Sequence, residues 1–388
     1  MDEYANPYRP GAGTSPPALL GRDVLIAHFD IAVRRAFARR PGKSLMPIGL
    51  RGVGKTVLLN RFAEIAEEQG FAIGFIEAPE SGDFRTLLAG HIRKILLSYD
   101  NQRRTAKVLK ALRVLKAFTL QLPDGSSVSI DVDALTGLAD SGNLQDDVTD
   151  LLLAAGEAAE EQDSGILLAV DEVQYLAEVE LAALITAIHR TTQRDLPVLL
   201  VGAGLPQLPG IAGEAKSYAE RLFEFPFIGS LEADDARDAI KVPAVEQGVE
   251  FSDDAVEGII ERAQGYPYFL QEWGYHVWNE AEQSPVPREV VDRVTPRVLT
   301  HLDANFFRVR FDRLTPAEKK YLRAMAELGP GPHRSGDIAA QLGVRVESVA
   351  PRRSGLISKG MIYSPAHGDT AFTVPLFDEF LRRELPAP

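Results

Sequence analysis

Gly49-Leu50-Arg51-Gly52-Val53-Gly54-Lys55-Thr56 fits the pattern G-x-x-x-x-G-K-[ST] at every specified position. Glycines at both ends let such a loop wrap an anion, so that backbone N–H groups and the start of the following helix converge on a phosphate. Lys55 is then placed to reach the β and γ oxygens of a nucleoside triphosphate, and Thr56 to hold Mg²⁺. The flanks agree: Ser44 to Ile48 reads as a short strand and Val57 to Gln69 as an amphipathic helix. Gly49, Arg51, Gly52, Val53, Gly54, Lys55, Thr56 and Val57 form the candidate nucleotide-binding set, with ATP and Mg²⁺ as the implied ligands.

Beyond this loop, Ile166 to Val170 is an apolar, β-branched run ending in Asp171-Glu172. On a buried parallel strand, Asp171 falls at the carboxyl end and is a second candidate for Mg²⁺. Glu172 is the candidate general base that orients or deprotonates the attacking water. The same pair also suits an ordinary strand followed by a helix cap. Leu196 to Gly202 reads as another core strand, joined to its predecessor by a helix over Glu180 to Gln193. Strands alternating with helices predict an α/β fold: a P-loop NTPase with a parallel sheet covered on both faces.

The chain has 388 residues, 45% of them hydrophobic, enough for two or three domains. No apolar run approaches the roughly 18 residues that cross a bilayer, and no membrane partner is expected. The N-terminal stretch MDEYANPYRPGAGTSPP has acids and four prolines where a signal peptide needs a basic start and an apolar core, so a cytoplasmic location is expected. Zero cysteines exclude disulfides, thiolate zinc sites and cysteine nucleophiles. The seven histidines show no metal-ligand spacing, so the Mg²⁺ brought with the nucleotide is the only metal the sequence implies. The net charge of -13 opposes indiscriminate nucleic-acid binding, yet residues 312 to 388 carry 11 Lys/Arg against 9 Asp/Glu. Any nucleic-acid contact should be local.

Taken in order, these stretches resemble AAA+ ATPases of the origin-recognition/Cdc6-like and STAND-like branch over roughly residues 17 to 388. Leu20-Gly21-Arg22-Asp23 is similar to the element that helps form the adenine pocket, so Gly21 and Arg22 are implied nucleotide contacts. Arg221, just before the apparent strand Phe223 to Phe227, stands where such proteins often carry an arginine finger. A solvated arginine at a helix end is the alternative. Gly265-Tyr266-Pro267 is similar to the GxP element of STAND proteins, which implies Pro267 near the nucleotide. A simple helix break has the same spelling. One departure stands out: many relatives carry a polar sensor after the third core strand, and here Gly202-Ala203-Gly204 follows, with Gln207 the nearest polar side chain. Slow hydrolysis, or nucleotide holding without turnover, is left open.

The expected organisation is a Pro-rich arm over 1–16, an ATPase core over 17–230, a helical lid and linker over 231–312 and a winged-helix domain over 313–388. In the lid, Tyr266, Tyr268, Phe269, Trp273, Tyr275 and Trp278 read as core before they read as a base-stacking surface. Within the core domain, 101–133 is an insert with no acid from 101 to 123. Arg103, Arg104, Lys107, Lys110, Arg113 and Lys116 interleave there with Val108, Leu109, Leu112 and Leu115, which predicts an amphipathic helix with a basic outer face. A hairpin is expected to follow over 119–130, turning at Asp124-Gly125, so that helix and hairpin project. Such an insert offers a phosphate-backbone or partner contact, or merely a solvated face.

From Leu314 a separate plan begins. Thr315-Pro316-Ala317-Glu318 spells a capping box, with a helix to Leu328. A short helix over 335–343, a candidate recognition helix over 346–359, strands at 361–363 and 371–374 and a turn at 367–369 together predict a winged helix-turn-helix. Arg345, Arg352, Arg353 and Lys359 are the candidate DNA contacts, although Pro351 interrupts the recognition helix. Two functions follow. One is an ATP-hydrolysing switch bound to duplex DNA that self-associates through its ATPase domain, with Arg221 of a neighbour completing the site. The other is a STAND-like signalling ATPase with little turnover, whose winged helix and insert bind a protein partner.

Overall fold

The apolar runs of the N-terminal half become short parallel strands. In a computed structural model, residues 1–11, 19–40, 42–79, 82–102, 104–122, 132–366 and 368–386 are described, and they divide into two compact units. The first unit comprises residues 22–48 and 58–227. Its strands are β1 (Ser44–Leu45), β2 (Ile48–Gly49), β3 (Phe71–Glu77), β4 (Gly165–Asp171), β5 (Val198–Gly202), β6 (Phe223–Glu224) and β7 (Phe227–Ile228), of which β2 and β7 each run one residue into the second unit. The strand expected over Ser44 to Ile48 is split by Met46-Pro47, because Pro47 has no N–H to give a ladder.

Register runs in parallel from Phe71 opposite Gly165 to Glu77 opposite Asp171, and from Ile166 opposite Val198 to Val170 opposite Gly202. Ile48 bridges in parallel to Gly204, and β1 pairs in parallel with β6. The order is therefore β3, β4, β5, then β1/β2, then β6. Every residue of β4 and β5 is buried, as a sheet covered on both faces requires. The helices are α1 (Asp23–Phe37), α2 (Lys55–Glu68), α3 (Phe84–Gln102), α4 (Ala106–Leu120), α5 (Leu144–Glu161), α6 (Glu178–Gln193), α7 (Leu208–Ala215) and α8 (Ala219–Leu222). α2 starts inside the phosphate loop, two residues ahead of the predicted start at Val57.

The basic insert needs correcting. α4 does not project: Val108, Ala111, Leu112, Val114, Leu115 and Phe118 are buried in the main core. Two of its four cations pair with acids of α5, Lys107 2.9 Å from Glu160 and Lys110 2.8 Å from Glu157, while Arg113 donates to the Asp133 carbonyl at 3.3 Å. Arg104 lies 3.4 Å from Asp100. An acid-free stretch of sequence is thus not an uncompensated surface. Thr119 and Leu120 belong to α4, while 123–131 of the expected hairpin, Arg103 and His367 of the expected turn lie outside the described residues.

The second unit comprises residues 1–21, 49–57 and 228–388. Its lid helices are α9 (Ala233–Glu246), α10 (Asp253–Ala263), α11 (Pro267–Glu280) and α12 (Arg288–Leu302). Tyr266, Phe269, Trp273 and Trp278 are buried, whereas Tyr275 is exposed. Residues 1–11, the described part of the Pro-rich arm, are fastened to this lid. Tyr8 is buried edge-on to Phe251 and Trp278, and its hydroxyl donates to the Ile240 carbonyl at 2.6 Å. Gly274 makes room for that ring, since a Cβ there would lie 2.6 Å from it. Trp278 Nε1 donates to the Asp2 carbonyl at 2.8 Å.

A π-helical turn, Asp303–Phe307, leads through α13 (Arg308–Phe311) into the C-terminal domain. There α14 (Pro316–Glu327), β8 (His333–Arg334), α15 (Ser335–Gln341), α16 (Ala350–Ser358), β9 (Ile362–Tyr363), β10 (Asp369–Phe372) and α17 (Phe377–Glu384) follow. The capping box forms as spelled: Glu318 N–H donates to Thr315 Oγ1 at 3.3 Å and Thr315 N–H to Glu318 Oε2 at 2.7 Å. β10 lies between β8 and β9 and is antiparallel to both. The recognition helix is shorter than predicted: Val346–Ser348 is a 3₁₀ turn, and Pro351 stands in the first turn of α16, where a missing N–H costs nothing. Among the described residues, no helix is long and apolar enough to cross a membrane.

Candidate nucleotide site

Gly52 and Gly54 hold φ at 84° and 92°, a region that favours glycine, so the loop backbone depends on both. Gly49 is needed for a different reason, because a Cβ there would lie 2.2 Å from the Ile228 carbonyl oxygen. Lys55 is buried, and its ammonium donates to the carbonyls of Gly49 at 3.0 Å and Leu50 at 2.8 Å. The loop thereby stores a desolvated cation on its own backbone, at the start of the 14-residue helix α2. Val53 is buried, while Arg51, Thr56 and Val57 are half-buried.

The lid meets this loop directly. Tyr268 N–H donates to the Gly52 carbonyl at 3.3 Å, and a Cβ on Gly52 would stand 3.1 Å from the Tyr266 ring. Pro267 is the first residue of α11, between these two tyrosines, so the Gly265-Tyr266-Pro267 element lies at the phosphate loop. The Tyr266 hydroxyl is buried without a hydrogen-bond partner, and burial pushes its pKa above the ordinary phenol value. Gly21 has φ +67° and closes on the lid, where a Cβ would sit 2.7 Å from Asp235 Oδ2. Arg22 is buried in the other unit.

Arg310 on α13 escaped the sequence reading. Its guanidinium lies 4.1 Å from the Phe306 ring centroid and donates to the Phe306 carbonyl. Burial, and then the like charge of Arg51, lower its pKa from the ordinary arginine value. Two arginines that repel each other beside a phosphate loop form a cationic environment suited to a polyanion. No local pattern marks Arg310, which reaches the loop only through the fold of the lid.

In the other unit, Asp171 ends β4, is buried, and accepts from Glu172 N–H at 2.8 Å through Oδ1. Glu172 is half-buried with φ 52°, a left-handed conformation uncommon for a side chain of this kind. Gln174 Nε2 donates to Glu172 Oε2, while Gln174 Oε1 accepts from Leu205 N–H at 3.0 Å. The Gln174 side chain thus lies against the end of β5, beside Gly204. A Cβ on Gly204 would be 2.7 Å from Gln174 Oε1, and one on Gly202 would be 2.8 Å from Val173 Cγ2. Gln174 was visible in the sequence as the fourth residue of DEVQYL, but its partner across the strand ends was not.

Arg221 is exposed on α8 and pairs with no acid among the described residues. The four C-terminal candidates divide. Arg353 is committed to the sheet, donating at 2.8 Å to each of Thr370 Oγ1, Ser364 Oγ and the Asp369 carbonyl. Lys359 is committed to the capping box, 2.7 Å from Glu318. Arg352 is half-buried, whereas Arg345 is exposed, as is Arg334, whose side chain is 83% exposed although it lies 3.9 Å from Asp369.

Strand, phosphate loop and helix in that order, with an acidic pair closing a buried parallel strand, mark the P-loop nucleotide-binding class. Residues 18–201 match the AAA ATPase domain family. Residues 304–381 match a family described as a domain of unknown function, DUF8462, whose first residues include the π-helical turn and Arg310. No curated protein sequence matches the chain.

Among solved structures, a Walker-type ATPase of Pyrococcus abyssi is similar at a TM-score of 0.63 and 15% identity, over 95% of this chain and 97% of that one. It shares the fold. A RuvB structure from Thermotoga maritima (18% identity, 99% and 100% of the two chains) has a TM-score of 0.47. The Orc1 protein of Aeropyrum pernix in complex with DNA (18% identity, 95% and 94%) has 0.46.

Proposed function

We propose that this protein is an ATP-hydrolysing switch whose C-terminal domain, read as a winged helix, associates with duplex DNA. The observation that carries the nucleotide reading is the phosphate loop with its buried Lys55, faced by Tyr266, Tyr268 and the desolvated Arg310. Mg²⁺ brought with ATP would neutralise β- and γ-phosphate charge, and Thr56 and Asp171 are each assigned to it. Glu172, held by Gln174, orients and deprotonates the attacking water. Arg221, exposed and unpaired with acids among the described residues, is assigned to the active site of a neighbouring copy. Arg310 is assigned to the phosphates. Arg310→Ala should weaken ATP binding about tenfold or more, as expected for one charged hydrogen bond. Unchanged affinity by calorimetry would leave that arginine only its packing over Phe306.

Arg334, Arg345 and Arg352 support the DNA reading, because they remain on the surface of a domain with the helix and strand order of a winged helix. A second reading, a STAND-like signalling ATPase with a protein partner, is favoured by Arg353 and Lys359, which are spent on internal bonds. One experiment separates them: steady-state ATP hydrolysis over a range of protein concentrations, with and without duplex DNA at several salt concentrations. Activity that rises with concentration and with DNA, and loses its DNA response as salt increases, supports the switch on DNA. Flat, near-zero turnover by nucleotide-bound protein, indifferent to DNA, supports the signalling reading.

A further inference from the structure

The lid contains a polar cluster that the nucleotide reading does not use. Glu272 and His276 stand one turn apart on α11, and His301 comes from the last turn of α12. One ligand atom from each of the three lies within 4.8 Å of the others. Glu272 is only 1% exposed, and its two oxygens have different situations. Oε1 accepts from the Tyr268 hydroxyl at 2.7 Å, whereas Oε2 is buried without an aligned hydrogen-bond donor. His276 Nε2 is likewise buried without a partner, 3.8 Å from that oxygen. His301 Nδ1 is 3.3 Å from the same oxygen, on a side chain 43% open to solvent.

Two orphaned buried polar atoms facing each other are costly unless something joins them. A shared proton or a bridging water is one way to join them; a cation ligated by both, and by His301 at the open edge, is another. We propose that Glu272, His276 and His301 form a binding site for a divalent transition-metal ion, zinc foremost, within the helical lid. Nitrogen and oxygen ligands at about 2.0–2.1 Å from Zn²⁺ put tetrahedral neighbours roughly 3.4 Å apart, close to the 3.3 and 3.8 Å that separate Glu272 from the two histidines, which would themselves close from within 4.8 Å of each other.

The chemistry of the donor set points the same way. Two imidazoles and one carboxylate suit zinc and disfavour Mg²⁺, which takes oxygen ligands and holds its water. Neither Glu272 Oε2 nor His276 Nε2 is already taken by a hydrogen bond, so both are open to a cation. The Tyr268 hydroxyl supplies the outer hydrogen bond that fixes the carboxylate. The exposed edge at His301 leaves the fourth position to water. Because Tyr268 also gives its N–H to Gly52, the metal lies one side chain behind the phosphate loop.

The test is calorimetric titration of the full-length protein with Zn²⁺, without nucleotide and with excess Mg²⁺ present to occupy oxygen-only sites. One zinc per chain is expected, with His301→Ala weakening binding at least tenfold and Glu272→Gln doing the same. His301 is exposed enough that its substitution leaves the fold intact. Cobalt gives an independent readout, a visible absorption band of a nitrogen-ligated low-coordinate ion that His301→Ala lacks. No saturable zinc binding by the wild-type chain, or an unchanged affinity in His301→Ala, overturns the proposal.

Discussion

Lys55→Ala abolishes ATP binding, leaving at most a residue weaker by about 10²-fold or more in a calorimetric titration. The ammonium is buried at the mouth of helix α2 and rests on the Gly49 and Leu50 carbonyls. Exchanging those two carbonyls for phosphate oxygens turns neutral acceptors into charged ones, and each charged hydrogen bond contributes about 1.5–3 kcal/mol. The substitution also strands two carbonyl oxygens, so a thermal melt belongs beside the titration. A variant that melts like the wild type yet no longer binds ATP has lost the ligand contact and not the fold. Wild-type affinity would remove Lys55 from the site.

Glu172→Gln keeps ATP bound and slows its hydrolysis by about 10²-fold or more, the usual scale for removing a general base. The change is nearly isosteric, and the new amide oxygen still accepts from Gln174. Glu172 holds a left-handed backbone at φ 52°, a conformation that costs of order 1–3 kcal/mol and persists where surroundings enforce it. Gln174 and the Asp171 carboxylate, which takes the Glu172 N–H at 2.8 Å, are those surroundings. Single-turnover hydrolysis with radiolabelled ATP is the cleanest measurement, since it separates the chemical step from product release. Turnover at the wild-type rate moves the base elsewhere.

What was legible in the sequence was what is contiguous. The phosphate loop, the acidic strand end and the capping box at Thr315 each depend on a handful of neighbouring residues whose spacing is itself the constraint. What escaped depends on distant partners. Arg310 gains meaning from Arg51 and Tyr266, and Gln174 from Leu205. The basic run in α4 was misread for the same reason, because Glu157 and Glu160 that balance it stand on the next helix. Among the histidines, Glu272 and His276 do have a one-turn spacing on a helix, but an acid and a histidine four apart are too common to signal without His301. Tyr8 reads as part of a loose Pro-rich arm until Gly274 is seen to clear a seat for it.

Phe306 and Phe307 are adjacent in the π-helical turn and belong to one continuous aromatic cluster, in which Phe269 of α11 packs edge-on to both, at 5.6 and 6.2 Å. Phe306 stacks on Tyr268 of the lid at 4.7 Å, while Phe307 stacks on Phe377 at 5.7 Å and Phe380 at 5.3 Å in the C-terminal domain. Asp303 and Arg383 add a 2.6 Å ion pair across the same join. Consecutive residues cannot swivel independently, so the boundary between lid and terminal domain is a weld where a linker would ordinarily be. The two are therefore expected to melt as one cooperative block and to resist separation by limited proteolysis, and any rotation of the lid would carry the terminal domain with it. The terminal domain is then the long arm of a lever whose short arm is Tyr268.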